Sequence, residues 1–353
     1  MAAQAAVRLG TAGAPAGSPP PRAIALLRVA EVQRETVGLH DGEAEHVARL
    51  LPALRAELAA QADAIAVGDW VLAERNRFEE WWVAERLPPC NQLARRLHDG
   101  RDKVERVVIV SNVDTAMLVM GLDHDFNLRR LERYVALVRM AGVLPLVVLT
   151  KADLVPDAAQ RRDAAQALLP AGCLALAVNA LGEATAAQLA PWLGPGQTVV
   201  MLGSSGAGKS TLTNALVGAA VQRTQANRTG DSRGRHTTTA RVLHRAAPGG
   251  CIIDTPGLRT LRLDGEAGQL AQVFDDIAER ARGCRFRDCR HEDEPGCAVR
   301  GAVSEERLRT WGKLQREARR DTMTALERKA QLAVWKARSR GARARLQAKR
   351  AED

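Results

Sequence analysis

The chain has 353 residues, with 51 Lys and Arg against 41 Asp and Glu and a formal charge of +10. Its 46% hydrophobic and 26% charged composition supports a sizeable core and excludes collagen-like and wholly disordered classes; at roughly 150 residues per domain it predicts two or three domains. Apolar runs fall far short of the roughly 18 residues of a membrane span, so no membrane association is expected. Six cysteines are too few for a disulfide-built fold, which points to the reducing cytoplasm.

Residues 1–22, rich in Ala, Gly and Pro, read as a disordered leader without the basic start and apolar stretch of a secretory signal. Strand-like runs at 64–73 and 81–87 flank a polar turn at 74–77 and suggest a small β-barrel, although Leu50, Leu54 and Leu58 give 43–60 a helical period. From about residue 104 the pattern alternates. Strands are predicted at 104–110 and 116–120, then a helix over 128–140 with Leu128, Leu131, Val135 and Val138 on one face. Further strands follow at 144–149, 174–178, 198–202 and 251–253. Such alternation implies a parallel sheet covered by helices, with ligands bound at the loops that follow its strands. Residues 302–353 carry 15 Lys and Arg against 7 Asp and Glu, with Trp311 and Trp335. This tail suits a helical arm for a polyanion or a solvated helix face, weakened or broken at Gly312 and Gly341.

The strongest motif is Gly203-Ser204-Ser205-Gly206-Ala207-Gly208-Lys209-Ser210, with Thr211 following, placed directly after an apolar strand. Its glycines let backbone N–H groups turn onto phosphate oxygens, Lys209 neutralises β and γ phosphates, and Ser210 offers a hydroxyl to Mg²⁺. Asp254-Thr255-Pro256-Gly257 ends another strand. There Asp254 can hold the same Mg²⁺ through water, and the Gly257 N–H can sense the γ-phosphate.

Guanine selection needs a carboxylate that accepts from N1–H and N2–H₂ of the base. In Thr150-Lys151-Ala152-Asp153 the choice is Asp153, with the Lys151 stem over the purine and the N–H of Ala180, after Asn179, on guanine O6. A solvated Lys-Asp loop is the bland alternative. The order is inverted: base-reading segments precede the phosphate loop, so the nucleotide domain reads as circularly permuted. A phosphate-loop ATPase or kinase is the rival, and Asp153 argues against it. Cys284, Cys289, His291 and Cys297 fall at C-x4-C-x-H-x5-C spacing, enough to close a tetrahedral site around one structural Zn²⁺. Cys90, Cys173 and Cys251 read as ordinary residues.

The permuted order and the Cys/His cluster together resemble the ribosome small-subunit-dependent GTPases, the RsgA or YjeQ family, over about residues 23–320. The resemblance implies an N-terminal OB-fold barrel at 23–97, a central circularly permuted α/β P-loop GTPase domain at 98–265 and a zinc-binding module at 266–301; the basic helical tail at 302–353 extends past it and, like the leader, rests on composition. Val67-Gly68-Asp69-Trp70-Val71, Ser111-Asn112-Val113-Asp114 and Asp125-Phe126-Asn127 are similar to its recurrent landmarks. In Arg235-His236-Thr237-Thr238-Thr239, Thr238 is similar to the switch threonine that closes on Mg²⁺ and the γ-phosphate. His236 is implied as the group that positions water, because Leu258 stands where many GTPases carry glutamine; an rRNA-binding or solvent-facing His236 is the alternative.

Besides the leader and the tail beyond about residue 320, which extend past the resemblance, two departures stand out. Thr150 occupies the usual place of an asparagine that ties base loop to phosphate loop, which puts that tie in doubt, and the linker at 88–93 lacks basic residues. The resemblance implies a cytoplasmic, monomeric enzyme that binds GTP and GDP with Mg²⁺ and contacts the small ribosomal subunit and its rRNA. It would act late in 30S maturation, with hydrolysis stimulated by the subunit and release following. The alternative function is a GTP-holding, nucleic-acid-binding switch with little hydrolysis.

Overall fold

The computed structural model describes residues 24–98, 104–218, 241–255, 270, 273–322 and 327. Two units are distinguished: residues 1–95 with 106–264, and residues 96–105 with 265–353.

The first unit opens with β1 (Ile24–Val32), β2 (Val37–His40) and β3 (Glu45–Leu50), then α1 (Pro52–Ala60), β4 (Trp70–Arg75) and β5 (Trp81–Arg86). The strands pair in the order β1-β2-β3-β5-β4, and β4 returns to β1, with Ile24 opposite Glu74 and Arg28 opposite Trp70. Closure removes the free edges. The helical period at 43–60 is half right: Glu45–Leu50 is a strand, since the barrel needs an edge for β5, and the helix begins only after it, with Pro52 at its first turn. Leu54 and Leu58, one turn apart, are buried with Leu27, Val29, Leu39, Val71 and Val83 in the barrel core.

β6 (Gln92–His98) and β7 (Val104–Ser111) form a separate two-stranded sheet. Residues 104–110 are thus a strand as expected, but outside the parallel sheet. That sheet contains β8 (Thr115–Gly121), β9 (Leu144–Thr150), β10 (Leu174–Ala177), β11 (Thr198–Leu202), β12 (Val242–Arg245) and β13 (Cys251–Asp254), ordered β10-β9-β8-β11-β13-β12. All but β12 run parallel. Strands β8 and β11 are buried along their whole length, as a strand covered on both faces must be.

Around them lie α2 (Leu128–Met140), α3 (Ala158–Gln166), α4 (Ala184–Leu189) and α5 (Lys209–Val217). The Asn127 side chain caps α2 by accepting from the Arg130 N–H at 3.0 Å. Strand β12 also pairs with β1, where Val242 faces Glu31, so barrel and parallel layer share one eleven-stranded sheet. The landmark segments meet beside this join: Asn112 Nδ2 donates to the Gly68 carbonyl at 3.0 Å, and Arg28 donates to the Asn112 carbonyl at 3.0 Å. Asn91, in the linker, accepts from the Val113 N–H at 2.9 Å.

In the second unit, α6 (Asp275–Ala281) and α7 (Glu305–Thr322) are joined by Arg307, whose Nε and one terminal nitrogen each lie 2.8 Å from Asp276 carboxylate oxygens. Helix α7 passes through Gly312 without a break, so of the two outcomes expected there, weakening or breaking, the break does not occur. The Gly312 carbonyl still accepts, taking a bond from Arg316 Nε at 3.1 Å, so the cost is that of glycine entropy alone. Gly341 and the leader lie outside the described residues.

Candidate functional site

Parallel pairing brings the carboxyl ends of four strands to one edge. Met201 of β11 lies opposite Asp254 of β13, Leu202 opposite Leu118 of β8, and Gly121 of β8 opposite Thr150 of β9. Ligands of open α/β sheets bind beyond this edge. The phosphate loop leaves β11 through Gly203, which packs so tightly on β8 that a Cβ would stand 2.2 Å from the Val119 carbonyl oxygen. It enters α5 through Gly208, at φ +92°, where an L side chain is strained.

Lys209 opens α5 and is 7% exposed; its Nζ donates to the carbonyls of Gly203 at 3.0 Å and Ser204 at 2.8 Å. Burial lowers the ammonium pKa, and the charges of Asp254 and Asp125 oppose that shift. The site is therefore electrostatically primed for an anion. Ser205 and Gly206 are exposed at the loop tip, Ala207 is buried beneath it, and Ser210 and Thr211 lie in the first turn of α5.

The segment expected to read the base, 150–153, folds against this loop. Thr150 is fully buried, and its Oγ1 donates to the Ala207 carbonyl at 2.7 Å. The tie in doubt at the level of sequence is made after all, because a threonine hydroxyl at the end of β9 is close enough to reach the loop. Lys151 adopts a left-handed backbone, φ +61°, and its Nζ pairs with Asp123 at 2.6 Å. Asp153 is exposed in the single 3-10 turn Ala152–Leu154. The Ala152 N–H donates to the Val178 carbonyl at 3.2 Å, bringing this turn beside Asn179 and the buried Ala180. Asn179 braces its own loop, with Oδ1 accepting from the Leu181 N–H at 3.0 Å and its carbonyl accepting from Thr185 Oγ1 at 2.5 Å.

Asp254, 7% exposed at the end of β13, fits a Mg²⁺ role. Its Oδ1 is buried with no hydrogen-bond partner, and burial raises its carboxyl pKa while Lys209 and the Thr255 N–H oppose the rise. A divalent cation would satisfy that oxygen. Thr255 anchors the strand end by donating from Oγ1 to the Met201 carbonyl at 2.6 Å. His236, Thr238, Gly257 and Leu258 lie outside the described residues.

In the second unit, one donor atom from each of Cys284, Cys289, His291 and Cys297 lies within 4.8 Å of all the others. His291 Nδ1 is 3.7 Å from Cys284 Sγ and 3.4 Å from Cys297 Sγ. Backbone N–H groups of Ala298 and Arg300 donate to Cys284 and Cys297 sulfurs, each at 3.4 Å, the support expected around thiolate ligands. Three thiols and one imidazole match tetrahedral Zn²⁺, and no position is left for substrate. The Trp311 ring of α7 packs on His291, centroids 5.3 Å apart. Cys90, Cys173 and Cys251 are free.

The RsgA GTPase family profile matches residues 87–264. A Vibrio vulnificus relative, small ribosomal subunit biogenesis GTPase RsgA 2, is 43% identical over 270 residues, covering 75% of each chain. The chain belongs to the RsgA GTPase family. It is a GTP-hydrolysing enzyme with an OB-like barrel and a circularly permuted nucleotide domain. Among solved structures, YjeQ from Thermotoga maritima superposes with a TM-score of 0.60 at 23% identity, over 84% of this chain and 99% of that one. YloQ, described as a circularly permuted GTPase, gives 0.58 at 22%, over 86% and 97%.

In this RsgA-family chain, sequence reasoning missed Asp123 and assigned Asp125 no role beyond a landmark. Their only signal was their position in the loop after β8, which becomes meaningful once β8 lies between β9 and β11.

Proposed function

We propose that this GTPase acts in biogenesis of the small ribosomal subunit: it docks on the 30S particle with GTP, contacts rRNA, hydrolyses GTP when the subunit stimulates it, and leaves with GDP. The Thr150–Ala207 hydrogen bond carries the nucleotide half of this reading, since it makes base-reading and phosphate-holding loops two walls of one cleft. The subunit half is supported by the relatives' names and by the barrel surface. There Arg75 stacks over Trp81 and Arg77 over the exposed Phe78, each 4.7 Å from the ring centroid, a pairing suited to unpaired RNA bases.

In the cleft, Asp153 accepts from the guanine N1–H and N2–H₂, the Ala180 N–H meets O6, and the Lys151 stem covers the ring. The N–H groups of residues 203–210 and the Lys209 ammonium hold the phosphates. Ser210, Thr238 and Asp254 would hold Mg²⁺, which when bound neutralises charge developing on the phosphates. The Gly257 N–H reports the γ-phosphate. Leu258 cannot orient water, so His236 does so when the subunit places it; basal turnover is therefore low. Residues 266–301 are a zinc-stapled module that presents RNA-binding surface together with the basic segment 302–353. The enzyme works as a cytoplasmic monomer; no helix among the described residues is long and apolar enough to cross a membrane.

The test is single-turnover GTP hydrolysis with and without purified 30S subunits, with ATP as competitor. Marked stimulation and no ATP competition are expected. Unstimulated, near-zero hydrolysis with GTP-dependent RNA binding retained would establish the switch reading in its place.

A further inference from the structure

The loop from β8 to α2, residues 122–127, has no role in the chemistry above, yet it touches both walls of the cleft. Asp123 holds Lys151 of the base-reading turn, and Asp125 Oδ1 accepts from Ser204 Oγ of the phosphate loop at 2.6 Å, across 79 residues of chain. The loop itself is fixed from several sides. Asp125 Oδ2 accepts from the Gly121 N–H at 3.2 Å, the Asp125 N–H donates to Asp123 Oδ1 at 3.1 Å, and Arg161 of α3 donates to the Leu122 carbonyl at 2.6 Å. Arg130, in the first turn of α2, lies 2.5 Å from Asp125 Oδ1 and also donates to the Asp125 carbonyl.

Ser204 is thus gripped twice: its carbonyl by Lys209 and its hydroxyl by Asp125. The two grips differ in what nucleotide does to them. Bound phosphates compete for the Lys209 ammonium, whereas the Asp125 carboxylate is an acceptor only, offers them no donor, and keeps its hold on the Ser204 hydroxyl. A bare carboxylate so close to the loop would repel the incoming phosphates, and the Arg130 guanidinium cancels that charge locally. We propose that Asp125 is a positioning residue of this GTPase: acting through Ser204, and neutralised by Arg130, it keeps the entry of the phosphate loop in its nucleotide-ready shape whether or not the loop is filled. Preorganisation of this kind strengthens GDP and GTP binding alike and leaves the choice of base to Asp153. The proposal rests on the nucleotide reading of the cleft.

Equilibrium binding of fluorescent GDP and of a non-hydrolysable GTP analogue to the full chain tests it, in Ser204→Ala, Asp125→Ala, the double variant, Ser204→Thr and Asp125→Asn. Each alanine variant is expected to raise both dissociation constants by roughly tenfold, the size of one hydrogen bond to a charged group, leaving the GDP-to-GTP ratio unchanged and lowering kcat less than kcat/KM. Because the two residues act through one bond, the double variant should be no worse than Asp125→Ala. Ser204→Thr should restore binding, and Asp125→Asn, which still offers an acceptor, should retain most of it. Multiplying losses in the double variant, Asp125→Asn as damaging as Asp125→Ala, or unchanged affinities would overturn the proposal. Should Asp125→Ala not fold, Ser204→Ala against Ser204→Thr decides: equal affinities sink it, and loss with recovery supports it. A wild-type chain that binds no guanine nucleotide would instead defeat the reading of the cleft.

Discussion

Thr150 and Ala207, 57 residues apart in sequence, are joined by a 2.7 Å hydrogen bond between a hydroxyl and a carbonyl in the interior of the nucleotide domain. Gly208 lies against the same side chain, where an added Cβ would stand 3.2 Å from Thr150 Oγ1. The hydroxyl therefore sets the spacing of the loop after β9 and the phosphate-loop motif as well as their connection.

Thr150→Val keeps the shape and removes the donor, leaving the Ala207 carbonyl buried without this partner. A loss of about 1–3 kcal/mol in stability is expected, together with weaker binding of both GDP and GTP. Urea unfolding and nucleotide titration measure the two effects separately; wild-type values in both would show the bond to be incidental.

Burial holds the Asp254 carboxyl above the ordinary aspartate range, against the opposing pull of Lys209. A carboxylate must be ionised to serve Mg²⁺, so Mg²⁺-supported GTP binding should fall away on acidification at a higher pH than an ordinary aspartate would give. Asp254→Asn should weaken Mg²⁺ by about 10–100-fold and remove this acid limb. Mg²⁺ titrations of the GTP-bound enzyme across pH check both points.

Asp69, fully buried at the join of barrel and parallel layer, is pushed up to about 6 by burial, against the hydrogen bond from the Ala66 N–H and the charge of Arg86. A raised folded-state pKa means the protonated form favours folding. The contribution is complete below the ordinary value of 3.8 and is lost as pH rises towards about 6. The gap amounts to at most ~3 kcal/mol. Chemical denaturation between these limits should show a falling component that Asp69→Asn abolishes; a slope identical in the variant would assign it elsewhere.

Purified, reduced protein should carry one zinc per chain by elemental analysis. Removing it with a strong chelator should unfold the segment around the Cys/His cluster, with a change in Trp311 emission that Trp311→Phe eliminates, since its ring packs on His291. A metal-free protein with intact C-terminal structure would contradict the assignment.

If His236 orients the attacking water on the subunit, His236→Ala should lower 30S-stimulated kcat by about 10²-fold, the usual scale of general acid–base assistance. The dissociation constant for 30S should change little. Unaltered stimulated turnover would remove the histidine from the chemistry.

The phosphate-loop motif, the Cys/His cluster and the inverted motif order are local signals, complete within short stretches of chain, and each was legible as sequence because its chemistry dictates residue type at fixed spacing. Strand positions were legible too, since a strand buried on both faces demands a continuous apolar run such as that of β9. Less could be said of 43–60, where a strand and a helix share one leucine period, or of 104–110, an apolar run that pairs with β6 outside the parallel sheet.

What the chain determined alone was which chemical groups it carries: a phosphate-loop motif, a carboxylate at 153 after a buried strand, and a Cys/His cluster. What only the tertiary structure decided was how those pieces act together. Thr150 reaches the phosphate loop because the end of β9 lies against it, Asp125 reaches Ser204 because β8 lies beside β11, and β12 merges barrel and parallel layer by pairing with β1. Each depends on contact between residues far apart in sequence, and periodicity is blind to such contacts because it reports only which face of an element is buried, never which neighbour buries it.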